Sequence, residues 1–470
     1  MSRNKKGLSL IKNTFIVGLG TVASKAIIFL MAPFFSKWLS TEAYGEFDLI
    51  STYVSLLLPF CTLSIYEAVF RFLLDDFDEK KRKVVISSSF SFIVVGTLFF
   101  VLVYYLGSLL FSFIRFDALI IMLLLCQLFY TYMSEVARGL KKLAVYSAFS
   151  FISVVLLTIL STVNLLVLKM GLQGIVLGYS LGYLISAIGL FIATKTFRYL
   201  SLQDVSKTGL KELISYSWPL IPNSISWWVV SVSDRVIIRT FVGLAANGIY
   251  AVANKVPSIV SILFSVFHIS WVQSASESIS DDDYIVFCNN VYNKLFTFVS
   301  SVGAVLIGCN FIVYNYVFDT KYSDAYYYTP ILIVSIVFSC LSQFMGGIMI
   351  AKKQTKKNGA TNVVAAISNI ILNLAFVKRF GLYAAAGSTL CSYLILFLMR
   401  KHYIGKEMSL KLSNKNKLVL LYMILIAAIV FINKKYLNIS AMVFSFIVLF
   451  ALNKEFIVLI FQKFANRKTI

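Results

Sequence analysis

Apolar residues run through this chain in blocks of about 20, each closed by a short polar or charged stretch. A block of that length is what a helix needs to cross the hydrocarbon core of a bilayer. Fourteen can be marked: 13–35, 45–66, 86–113, 118–137, 145–167, 172–194, 216–241, 248–271, 295–317, 326–350, 359–377, 381–399, 418–433 and 438–460. The expected fold class is therefore an all-α integral membrane protein, with no polar stretch long enough for a soluble domain. The apolar run after "MSRNKKGLSLIKN" continues past Pro33 without a small-residue cleavage site, so it is expected to stay as an uncleaved first span.

Composition agrees, with 59% hydrophobic residues and 14% charged residues, where soluble domains carry about 25% charged. The formal charge of +22 adds more. In a soluble chain it would point to nucleic acid. With the N-terminus placed inside, however, thirty Lys and Arg fall on inner segments and nine on outer ones. That bias orients both termini to the cytoplasm and removes nucleic acid as a partner. Segment 272–294, with "SISDDDYIVF" and a single lysine, fits the count poorly, although acidic residues weigh little in it. Its Asp run reads as a solvated loop. Six scattered cysteines read as small hydrophobes, and two histidines are too few for a histidine-rich metal site.

The blocks repeat. "GLQGIVLGYSLGYLI" (171–185) lies over "GLYAAAGSTLCSYLI" (381–395), Asn164-Leu165 and Lys169 over Asn373-Leu374 and Lys378, and "AYGEF" (43–47) over "ANGIY" (246–250). The order is that of a six-plus-six duplication. An even number of spans per half gives a parallel repeat about an axis along the membrane normal. The expected organisation is an N-terminal six-helix lobe (1–200), a C-terminal six-helix lobe (201–405) and two additional helices (406–470). Alternating access to a cavity between the lobes follows as the expected mode of action.

The segment "SWPLIPNSISWWVVSVSDRVIIRTFVGLAANGIYAVANK" (217–255) resembles the polysaccharide-export branch of the multidrug, oligosaccharidyl-lipid and polysaccharide exporter superfamily. The likeness lies in Pro219 and Pro222 at a span entry, the Asp234-Arg235 pair, and the G-x-Y-x-x-A-x-K of Gly248, Tyr250, Ala253 and Lys255. "FFSKWLSTEAYGEFDLIS" (34–51) is similar in the first half. The resemblance implies a flippase of the bacterial inner membrane that moves an undecaprenyl-pyrophosphate-linked oligosaccharide to the outer leaflet. Capsule, exopolysaccharide or O-antigen assembly would be its pathway, and a polysaccharide polymerase and glycosyltransferases its partners.

A lipid pyrophosphate needs cations in a wet cavity. Lys25, Arg235 and Lys255 are the expected substrate-binding cations. Positions 228, 231, 235 and 239 share one helical stripe, so Trp228 and Ser231 are expected beside Arg235. Asp234 either holds Arg235 in place or pairs with it for packing, and Arg239 either faces the cavity or snorkels to headgroups. Glu67 with Arg71, and Glu135 with Arg138, have helical spacings suited to a cytoplasmic gate or to a solvated face. Asp48 is read as a cation ligand or a helix cap, His268 as a packing residue or a proton relay, and Tyr326, Tyr327 and Tyr328 as an interfacial belt.

Two rival functions stand beside this reading. An ion-coupled drug or organic-cation antiporter would place carboxylates in its cavity, where this chain places Lys and Arg. A membrane enzyme acting on lipid-linked sugars would need a sizeable acidic or metal-binding loop. No G-x-x-x-x-G-K-[ST] loop is present for an ATP-driven pump. No cofactor is expected, and coupling to H+ or Na+ is left unassigned.

Overall fold

A computed structural model describes residues 23–75, 78–110, 118–405 and 408–454. Among them every regular element is helical, and eleven helices are long and apolar enough to cross a membrane, or twelve if one bent pair is a single span. The start of the first expected span and the end of the last lie outside the described residues, as does most of the uncleaved N-terminal run. The chain divides into two compact units, Met1–Trp228 and Val229–Ile470.

In the first unit, α1 (23–38) is followed by α2 (Thr41–Thr62) and α3 (Ile65–Leu73), then α4 (Glu79–Leu110), α5 (Ala118–Gly139), α6 (Leu143–Leu166), α7 (Gly171–Thr194) and the short α8 (Lys207–Ser217). Ser40 caps α2 by accepting from the Ala43 N–H, so Asp48, seven residues into the helix, is not the cap. At the other end Leu63 and Ser64 both take left-handed backbone angles (φ 47° and 53°), and the axis turns by 63° into α3. Twenty-two residues of α2 already reach about 33 Å, the depth of the hydrocarbon core. α7 presses Gly174, Gly178 and Gly182 onto Asn164, Ser161 and Leu157 of α6. In lipid, where tails are as apolar as Leu, such close backbone approach and the packing it permits supply much of the association.

α9 (Ile221–Phe241) runs across the boundary between the units. The second unit continues with α10 (Leu244–Ala253), α11 (Lys255–Glu277), α12 (Tyr284–Gly308), the single turn α13 (Asn310–Ile312), α14 (Ala325–Ala351), α15 (Thr355–Phe380), α16 (Leu382–Gly405), α17 (Asn414–Ile432) and α18 (Lys435–Leu452). α14 is its axis, packed by α10, α11, α12 and α16. There the Trp271 indole stacks on Phe344 at 4.2 Å and donates to its carbonyl, over the bare Cα of Gly347.

Two expectations change here. The acidic stretch Asp281–Asp283 is an exposed turn as read, but the loop around it is short, because α12 begins at Tyr284, eleven residues before the expected span. Those polar residues have structural work. The Asn289 amide donates to Ser409 O and accepts from Lys411 N, and Asn293 does the same with Lys411 O and Ser413 N. Two asparagines one helical turn apart thus pair with alternate residues of an extended strap as a neighbouring strand would, and the strap leads into α17. Tyr326 is the second change: it is 4% exposed and donates to Val430 O at 2.6 Å, closing the end of α17 from inside the unit rather than facing a headgroup layer.

Candidate functional site

Five of the ten residues expected to carry function lie on α9. Adjacent helical residues point about 100° apart, so Asp234 and Arg235 meet only because the arginine is long enough to fold back. Its Nη1 donates to Asp234 Oδ1 at 2.7 Å and to Ser231 O at 3.1 Å. Tyr250 of α10 donates its hydroxyl to Asp234 Oδ2, and its ring centroid stands 5.7 Å from the guanidinium. Asp234 is 2% exposed and Arg235 8%. Both carboxylate oxygens are engaged and the two charges neutralise each other, which is the arrangement a buried ion pair needs to survive desolvation. Within this arrangement Arg235 Nη1 is taken up by Asp234 and by the Ser231 carbonyl.

The rest of the α9 stripe is held in separate ways. The Trp228 indole donates to Thr52 O at 3.2 Å and Ser55 Oγ at 3.1 Å, both on α2. The Ser231 hydroxyl lies 3.4 Å from the Tyr393 hydroxyl of α16. Arg239 is exposed in the last turn of α9.

Lys25 is exposed on α1, one residue after Ser24, whose hydroxyl donates to Ser150 O of α6 at 2.9 Å. The start of its span lies outside the described residues. Lys255 is half-buried and stands at a break: α10 ends at Ala253 and Lys255 opens α11. A carbonyl released by that break, Ala253 O, accepts from Thr329 Oγ1 at 3.2 Å.

Of the two acid–base pairs near the expected inner ends of α3 and α5, one forms as its spacing suggests and the other does not. Arg71 bonds Asp75 at 2.8 Å, one turn further on, rather than Glu67. Arg138 donates to both oxygens of Glu135, at 2.7 and 2.8 Å, while its guanidinium covers the Phe70 ring at 4.1 Å. Glu67 is an electrostatic neighbour of both Arg138 and Glu135. His268 packs against Phe264, ring to ring at 5.5 Å.

Sequence reasoning missed two features of the second unit. Arg400, counted among the loop cations, is 3% exposed inside α16. It donates to Ser342 O, Thr361 Oγ1 and Asn362 Oδ1 at 2.7 to 3.1 Å, tying α14, α15 and α16 together through neutral acceptors. Asn369 and Asn373, one turn apart on α15, are fully buried, and Ser233 Oγ reaches Asn369 Oδ1 at 3.4 Å. The available signal was an amide pair inside an apolar run. Among the described residues no three His, Cys, Asp or Glu side chains converge on a metal-sized space.

Residues 10–272, more than half of the sequence, match the polysaccharide biosynthesis protein family. The chain belongs to that family. Among curated relatives it is 24% identical over 216 residues to the probable low-salt glycan biosynthesis flippase Agl15 of Haloferax volcanii, a match that spans 45% of each chain. It is 22% identical over 414 residues to the uncharacterized membrane protein MJ1375 of Methanocaldococcus jannaschii, covering 83% of this chain and 97% of that one. In fold it is similar to the lipid II flippase MurJ in an inward closed conformation, with TM-score 0.70, 15% identity and coverage of 95% and 98% of the two chains. A multidrug resistance MATE family transporter of the MOP superfamily, inward-facing, gives TM-score 0.61 at 12% identity over 84% of this chain and 98% of that one. The family assignment and these folds place the chain in the exporter superfamily that the 217–255 segment resembles.

Proposed function

We propose that this family member is a flippase for a lipid-linked oligosaccharide repeat unit. It takes the unit on undecaprenyl pyrophosphate from the inner to the outer leaflet of a bacterial cytoplasmic membrane, for assembly of capsule, exopolysaccharide or O-antigen. The observation that carries the reading is the family match over residues 10–272. A relative named as a glycan biosynthesis flippase and the fold of a lipid II flippase support it. Transport would be secondary, by alternating access, driven by an ion or substrate gradient.

The diphosphate needs a cation within reach. Arg235 is committed to Asp234, so within this reading it is a positioning residue of α9. Lys25, exposed on α1, is the first candidate for substrate contact, and Lys255, at the α10–α11 break, the second. A multidrug antiporter is the alternative that the MATE-like fold supports. Against it stands Asp234, a buried carboxylate bonded to Arg235 and Tyr250 instead of open to a cationic drug.

The cellular test uses a strain whose surface polysaccharide depends on this protein. Lys25→Gln is expected to lower surface polysaccharide at least tenfold at unchanged protein level, and Lys25→Arg to restore much of it. Normal export from a well-expressed Lys25→Gln strain would remove Lys25 from the site. Drug resistance that falls in parallel, with polysaccharide intact, would favour the antiporter.

A further inference from the structure

The repeat allows the same helix pair to be examined twice. In register, Gly174, Gly178 and Gly182 of α7 lie over Ala384, Ser388 and Ser392 of α16. The glycines let α7 touch α6: a methyl group added at Gly182 would come within 2.7 Å of Leu157 N, and one at Gly178 would collide with Ser161. Side chains at the equivalent positions of α16 leave an open groove along α15, about 320 Å³ in volume, with Leu372, Phe376 and Phe380 on one wall and Ala384, Gly387 and Ser388 on the other. A methyl group at Gly387 would meet nothing within 4 Å. The walls run from Leu372 to Phe380 and from Tyr383 to Cys391, about 12 Å of helix each.

The mouth of the groove is the α15–α16 turn, where Gly381 (φ 53°) ends α15 and Lys378 and Arg379 occupy its last turn. The Arg379 guanidinium stands 5.5 Å from the Phe380 ring, which itself lines the groove. Lys378 Nζ lies 5.2 Å from the Phe241 ring, so its ammonium too is held at this end by an aromatic face. An apolar slot along a membrane helix with the Arg379 guanidinium beside its lining, and Lys378 on the far side of the same helix end, is complementary to a lipid: chain in the slot, phosphate at the turn. We propose that this groove is a binding site for an anionic phospholipid of the surrounding bilayer. The proposal goes beyond the transported substrate and stands whether or not the protein is a flippase.

In a bilayer the lipid chain leaves one hydrocarbon environment for another, so the groove's apolar lining gives fit rather than driving force. Selectivity must then come from the headgroup charge, with about a fivefold preference for each cation near the phosphate. The full-length protein is reconstituted with a phospholipid carrying a diazirine in its acyl chain, once with a phosphatidylglycerol head and once with phosphatidylcholine and identical chains. Crosslinks are mapped by mass spectrometry. Residues 372–391 are expected to label at least about fivefold more with the anionic head, falling to near parity in Lys378→Gln/Arg379→Gln. Both changes lie on exposed side chains of a folded helix end, and a thermal-unfolding control confirms that each variant is intact. Gly387→Phe, which fills the slot, is expected to abolish labelling there with either head. Equal labelling from the two heads, or a head preference unchanged in the double variant, overturns the proposal. So does displacement of the label by a polyprenyl pyrophosphate and not by excess unlabelled phosphatidylglycerol, which would make the groove a substrate-chain site.

Discussion

α6–α7 and α15–α16 carry the two stretches that align in the sequence, yet one pair is sealed and the other is grooved. On α7 three glycines in successive turns bring backbone to backbone, and the Asn164 amide donates to Gly174 O across the seam at 3.0 Å. On α16 those positions carry Ala384, Ser388 and Ser392, and the amide of Asn373, the repeat-mate of Asn164, has no hydrogen-bond partner among the described residues. The lesson is that two stretches can share the run of apolar residues, which is all that crossing the membrane demands, while a few small-residue positions set how closely neighbouring backbones approach.

The comparison can be broken by exchanging its terms. Gly178→Leu should be the most damaging change, destabilising the first unit by about 3 kcal/mol because Ser161 is backbone-close and cannot yield. Thermal unfolding in detergent reads it, and a loss below about 1 kcal/mol would mean the seam is looser than the glycine contacts require. Asn164→Ala should cost about 1 kcal/mol in the same assay, the usual scale for an interhelical bond in a membrane. Asn373→Leu should have no cost or stabilise slightly, since it removes a buried amide that makes no bond. Smallest of all, Gly387→Leu should leave stability within about 1 kcal/mol, a small gain being expected from helix propensity alone.

Fourteen spans were expected, and among the described residues eleven helices, or twelve with the bent pair, are long and apolar enough to cross; these were legible because hydrocarbon thickness imposes one length on every apolar run. What interrupts a span was much less so. Leu63 and Ser64 turn the chain by 63° without a glycine, and Pro59 is the only local hint. The early start of α12 was hidden because Asn289 and Asn293 look like loop residues until the strap they hold is seen. Charges misled in both directions. Arg400, at the end of a run, reads as a loop cation and is buried. Arg235, in mid-run, reads as a cation awaiting a substrate and is bonded to its own neighbour, a contact that helical periodicity rules out and side-chain length permits. One acid–base pair formed as spaced, Glu135 with Arg138, and the other shifted because Asp75 competes for Arg71 at the same four-residue spacing as Glu67.

The reading of the whole molecule is most directly tested in proteoliposomes that hold the purified chain and a fluorescent polyprenyl-pyrophosphate oligosaccharide, with transbilayer movement followed by quenching from outside. The account predicts protein-dependent movement at least tenfold above empty vesicles, competed by an unlabelled lipid-linked oligosaccharide and reduced by Lys25→Gln. Movement no faster than in empty vesicles, from protein that is folded and inserted and tested across H+ and Na+ gradients of both signs, would contradict it.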